Sequence, residues 1–138
     1  MDKKAYEDIR VGDQASFTKT VVEADIILFA GVTGDFNPVH MDKEFAEKSF
    51  FKERIAHGML SAGFISTVLG TKLPGPGTIY LSQTLQFKSP VKINDTITAR
   101  VEVIEKVDAK RMLRLKTECY NQDAKLVTTG ECLMLSPA

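Results

Sequence analysis

The segment from His57 to Leu73 reads HGMLSAGFISTVLGTKL and has no charged side chain before Lys72. Leu60, Phe64 and Val68, with Ile65 and Leu69 beside them, recur at helical spacing. The other positions are small: Ser61, Ala62, Gly63, Ser66 and Gly70. A helix with no polar face has to be buried on nearly all sides, and its small residues let another backbone surface come close. The rest of the chain must therefore wrap around it. Leu73-Pro74-Gly75-Pro76-Gly77 then ends the helix, because proline cannot continue the hydrogen-bond ladder and glycine turns the chain.

The flanking patterns supply the wrapping. Residues 16–22 are β-branched and partly alternating, which predicts a first strand. A short amphipathic helix follows over 23–31, with Ile26, Ile27, Phe29 and Ala30, and turn residues at 33–38 end it. Asp42 is placed to cap a short helix over 43–48. Beyond the central helix come four candidate strands at 78–89, 95–107, 111–121 and 125–135. Turns fall at Asn94-Asp95, Asp108-Ala109-Lys110 and Gln122-Asp123. One buried helix and a run of meandering strands define an α+β chain with an antiparallel sheet of about five strands wrapped around the helix. With 138 residues, the whole of 1–138 reads as a single domain. An open sheet has exposed edges, and pairing them edge to edge in a homodimer would hide them.

Composition narrows the class of function. Lysine plus arginine equals aspartate plus glutamate, 18 each, and no basic block stands out, which argues against a nucleic-acid partner. No apolar run reaches the roughly 18 residues a membrane helix needs, and Met1-Asp2-Lys3-Lys4-Ala5 lacks the apolar core of a signal peptide. Cys119 and Cys132 form no C-x-x-C pair, and no zinc or redox motif results. A hairpin turning near 122–124 would set Cys119 opposite a residue near Thr128, so the cysteines would not face each other. The expectation is a cytoplasmic protein without metal or membrane. There is no P-loop, G-x-G-x-x-G or G-x-S-x-G.

Chemistry concentrates in Thr33-Gly34-Asp35-Phe36-Asn37-Pro38-Val39-His40. Residues five apart in a strand point to opposite faces, so Asp35 and His40 could meet only across a turn. Pro38 fixes its own φ and pushes Asn37 towards extended geometry, and Asn37 can tighten the turn through local backbone. An imidazole and a carboxylate held together suit general acid–base work. The same residues also fit an ordinary loop in which Asp35 caps backbone N–H groups. His57-Gly58 opens the central helix, where free N–H groups stabilise negative charge and Gly58 lets a ligand reach the backbone. On the alternative reading, Gly58 eases the entry into the helix and His57 is a cap or a satisfied core histidine. Ser66 either bonds a backbone carbonyl or helps hold Asp35 or a substrate. Lys88, Lys92 and Arg100 could touch phosphates, and nothing singles one out.

Together these segments resemble the MaoC-like hydratase-2 family. The resemblance rests on Phe29-Ala30-Gly31-Val32-Thr33-Gly34-Asp35-Phe36-Asn37-Pro38-Val39-His40-Met41-Asp42, on Ile55-Ala56-His57-Gly58-Met59-Leu60, and on the run from Tyr80 through Phe87 to Val91. Lys43 departs from it, since many members carry proline there. The resemblance implies a hotdog fold with 57–69 as central helix, a homodimer, and an acyl-CoA bound near the subunit interface. It implies reversible (R)-specific hydration of a trans-2-enoyl-CoA to the (R)-3-hydroxyacyl-CoA, of the kind that supplies polyhydroxyalkanoate synthesis. Asp35 and His40 would hold and activate one water, the Gly58 N–H would donate to the thioester oxygen, and Ser66 and Asn37 would support the pair. Coenzyme A enters only as part of the substrate, and no cofactor is implied. The alternatives are a hotdog 3-hydroxyacyl-ACP dehydratase, an acyl-CoA thioesterase, or a non-catalytic acyl-CoA-binding subunit.

Overall fold

The computed structural model describes residues 4–137. Strand β1 (Gln14–Thr20) leads into helix α1 (Glu23–Thr33), the short helices α2 (Pro38–Met41) and α3 (Lys43–Lys48), and the central helix α4 (Gly58–Thr71). Strands β2 (Ile79–Gln83), β3 (Gln86–Phe87), β4 (Thr96–Val107), β5 (Met112–Tyr120) and β6 (Leu126–Leu135) follow. They form one antiparallel sheet in the order β1-β4-β5-β6-β2, with β3 also pairing β6. This is the α+β hotdog arrangement, with six strands rather than about five.

The extra strand has a local cause. The expected single strand over 78–89 breaks because its backbone crosses over β6 at Gly130. A Cβ on Gly130 would lie 1.8 Å from the Thr84 carbonyl oxygen. The Thr84 N–H donates to the Glu131 carbonyl (2.9 Å), and the Glu131 N–H donates to Thr84 Oγ1 (3.0 Å). Only glycine permits that approach. The crossing lets β3 re-join β6 as a separate piece, with Phe87 opposite Thr128.

α4 lies against the concave face of the sheet. Phe64, Ile65, Val68 and Leu69 are buried against Ile97, Ala99, Val101 and Val103 of β4 and Leu113, Leu115 and Cys119 of β5. The β4 residues are every second one, as period-two alternation requires. Burying each large aliphatic side chain of α4 contributes roughly 1.5–3 kcal/mol, so this contact dominates the core. Register shifts between Val103 and Glu105 on β4, and between Cys119 and Tyr120 on β5, add local twist and help the sheet curl. Cys119 pairs with Thr128 and Cys132 with Leu115, so the two do not face each other, as expected; both thiols are buried and free.

The sequence expectation of a helix buried on nearly every side needs correction. Met59, Gly63, Ser66 and Gly70 of α4 are exposed. Of the small residues, Ser61 is buried against the sheet, with Cys119 Sγ 3.6 Å from its carbonyl, whereas a Cβ at Gly63 or Gly70 would meet nothing within 4 Å. No helix among the described residues is long and apolar enough to cross a membrane.

Candidate active site

The α1–α2 junction is built by turn chemistry. Gly34 takes φ 82°, a left-handed conformation that ends α1 two residues later than the sequence pattern suggested. The Asp35 N–H then donates to Thr33 Oγ1, the Asn37 N–H to Asp35 Oδ1, and the Val39 N–H to Asn37 Oδ1, each at 3.2 Å. Asn37 is thus the N-cap of α2, and Pro38 occupies its first position, where no donor is needed. One turn and one turn of helix replace the strand that would have separated the two functional groups. Asp35 stays exposed, while His40 is carried inwards to 9 % exposure.

His40 is fixed on both sides. Its carbonyl accepts from Arg54 Nε at 2.7 Å, and Arg54 also pairs with Glu23 of α1. Its Nδ1 lies 2.7 Å from the Ile55 carbonyl oxygen. A carbonyl only accepts, so the proton sits on Nδ1, and Nε2 carries a free lone pair when the ring is neutral. Burial pushes the His40 pKa below the ordinary imidazole value, and the adjacent His57 adds to this; the Ile55 bond and the Asp35 charge act the other way. The neutral form is favoured.

His57 completes the cluster. It is 2 % exposed, and its Nε2–H donates to the Asp35 backbone carbonyl at 2.9 Å. Its ring lies 4.0 Å from the His40 ring, at 33°, and 4.6 Å from Phe29. Asp35, His40 and His57 each offer a ligand atom, and these atoms lie within 4.8 Å of one another. One water, or a small cation, could bridge that span.

Beside His40 opens a cavity of about 420 Å³, walled by Gly58, Met59, Phe51 and Phe87, with Lys88 also lining it. Gly58 is the first residue of α4, so its N–H has no carbonyl within the helix to bond. A Cβ there would come within 2.8 Å of two Phe87 ring carbons. The ring lies directly over the backbone, and glycine alone leaves room for it.

The structure thus brings Asp35 to His40, and sets His40 and Gly58 in the wall of one cavity, with Asn37 shaping the turn. It does not bring Ser66 to them. Ser66 lies on the exposed side of α4, roughly 12 Å along the axis from Gly58, and its hydroxyl makes no hydrogen bond among the described residues. Of the three cations left open, Lys88 alone lines the cavity; Lys92 pairs with Glu53, and Arg100 stacks over Tyr120. His57 was read only as a cap or a core histidine. Its contact with Asp35 joins residues 22 apart, which no local pattern announces.

A curled sheet around one helix, with an Asp–His pair at that helix's N-terminus, defines the class of MaoC-like hotdog proteins. Residues 9–124 match the family model described as MaoC like domain, and the chain belongs to this family. It is 52 % identical over 133 residues to an (R)-specific enoyl-CoA hydratase of Rhodospirillum rubrum, covering 96 % of this chain and 92 % of that one. Among solved structures it resembles the unliganded R-hydratase from Pseudomonas aeruginosa, with TM-score 0.90, 48 % identity, and 96 % and 84 % of the two chains covered. It also resembles the (R)-hydratase from A. caviae involved in PHA biosynthesis, with TM-score 0.92, 40 % identity, and 95 % and 99 % covered.

Proposed function

We propose that this protein is an (R)-specific enoyl-CoA hydratase, adding water reversibly to a trans-2-enoyl-CoA to give the (R)-3-hydroxyacyl-CoA. The observation that carries the reading is His40 beside Asp35 at the wall of an apolar cavity whose other wall offers the Gly58 N–H. An alkene conjugated to a thioester becomes electrophilic at C3 when charge on the thioester oxygen is stabilised. The Gly58 N–H, at the positive end of α4, supplies that stabilisation. Asp35 accepts one O–H of the attacking water and orients it. His40 Nε2, bare in the neutral ring, takes the other proton as the oxygen bonds to C3. The imidazolium then returns that proton to C2, and the enolate collapses to the thioester. Water's oxygen and one hydrogen end on C3 and the other hydrogen on C2, so the enzyme is unchanged and needs no cofactor beyond the substrate's own coenzyme A. The reverse sequence is the dehydration.

The functional unit of this proposal is a homodimer in the cytoplasm. β2 is an edge strand on which Ile79, Tyr80 and Leu81 are 38–47 % exposed, and Val32 of α1 is 85 % exposed. Apolar edges of this kind call for a partner, and a second copy would also cover the Met59–Ser66 side of α4. In such a dimer Ser66 would face the partner rather than its own Asp35.

The test mixes purified protein with crotonyl-CoA, follows loss of the enoyl absorbance, and titrates free thiol in parallel. Loss of absorbance without thiol is the expected result. Thiol release would identify a thioesterase, and binding without either signal would identify a non-catalytic acyl-CoA subunit.

A further inference from the structure

We infer that His57 is a positioning residue for this reaction: its imidazole, acting as an Nε2–H donor, locks the Asp35 carboxylate into register with His40 and the Gly58 N–H. The inference rests on the hydratase reading for its kinetic part.

Asp35 sits in an exposed turn whose other hydrogen bonds are local, reaching only to Thr33 and Asn37. Among the described residues, the one hydrogen bond that ties Asp35 to the rest of the fold is from His57 Nε2 to its carbonyl. His57 has the buried setting needed to act as an anchor. Its ring is packed between Phe29 on α1 and His40 on α2, and its backbone is the N-cap of α4. The next peptide carries the Gly58 N–H. One side chain therefore touches the backbone of the carboxylate and the face of the imidazole, and adjoins the oxyanion donor. Displacing any of the three by about 1 Å costs a reaction of this kind on the order of 10²-fold.

A second feature argues against a packing role. His57 Nδ1 is buried without any hydrogen-bond partner. An unpaired buried acceptor costs free energy, and a ring kept for packing alone would be better as phenylalanine. The Asp35 carbonyl only accepts, so the ring carries a proton on Nε2.

The variants His57→Phe and His57→Gln separate the roles. Phenylalanine keeps the ring without the donor; glutamine restores an N–H near the position of Nε2. For His57→Phe the expected result is a kcat lower by roughly 10²-fold, with KM within about twofold and a melting temperature no lower than wild type. His57→Gln should recover most of that loss. A kcat for His57→Phe within about threefold of wild type, or a His57→Gln variant no better than His57→Phe, would overturn the inference. Wild-type protein that fails to hydrate crotonyl-CoA would count against the hydratase reading instead. The inference then still stands or falls on ¹⁵N shifts of the His57 ring, which should report a proton on Nε2; protonation on Nδ1 alone would refute it.

Discussion

Gly130→Ala is the substitution whose cost the structure sets most clearly. The new methyl would lie 1.8 Å from the Thr84 carbonyl oxygen and 2.7 Å from its carbonyl carbon. Both are backbone atoms, so no rotamer change relieves the clash, and the two strands must part by more than 1 Å. That movement breaks the pair of hydrogen bonds between Thr84 and Glu131, at about 1 kcal/mol each. It also strains the Gln83 amide, which donates to the Thr84 carbonyl and to Thr117 Oγ1, both at 2.8 Å. Adding an overpacking cost of about 1–3 kcal/mol gives a destabilisation of about 3–5 kcal/mol. For 138 residues the unfolding entropy is about 0.3 kcal/mol per kelvin, so the melting temperature should fall by roughly 10–17 °C. The assay is thermal unfolding followed by circular dichroism, with crotonyl-CoA turnover measured well below the transition. Turnover should fall too, because Phe87, three residues beyond Thr84, walls the cavity. A fall below about 3 °C with wild-type turnover would refute the crossing of Thr84 over Gly130 and its link to the site.

Three further outcomes are expected. Asp35→Asn and His40→Gln should each lower kcat by roughly 10²–10⁴-fold with little change in melting temperature; near-normal turnover in either would remove that residue from the chemistry. If His40 is the proposed neutral base, burial pushes its pKa below the ordinary 6.5, so the acid limb of kcat/KM should be centred below that pH; an acid limb centred above 6.5 would contradict the environment described for His40. If the proposed homodimer pairs through β2, wild-type protein should show a dimer mass by light scattering and Leu81→Lys, on the exposed edge strand, a monomer mass; a monomeric wild type, or a variant of unchanged dimer mass, would contradict that interface.

What was legible in the sequence follows the range of the interactions concerned. α4 could be read from Leu60, Phe64 and Val68 because helical spacing is local, and its start differs from the expectation by one residue. The alternation of Ile97, Ala99, Val101 and Val103 marked β4 for the same reason. Asp35 and His40 could be paired because Gly34, Asn37 and Pro38 encode the turn between them. The break between β2 and β3 depends on Gly130, far along the chain from Thr84, and nothing within 78–89 foretells it. His57 reaches Asp35 across 22 residues, so its place in the site emerges only from the fold. The exposed side of α4 was hidden for another reason: small residues look the same whether they meet the chain's own sheet or a second surface.

The central claim is that Asp35, His40 and Gly58 direct water onto C3 of an enoyl thioester from one face. The most direct measurement is chiral analysis of the 3-hydroxybutyryl-CoA formed from crotonyl-CoA by the wild-type protein. The account predicts the (R) enantiomer with no free coenzyme A; the (S) enantiomer, or free coenzyme A in its place, would contradict it.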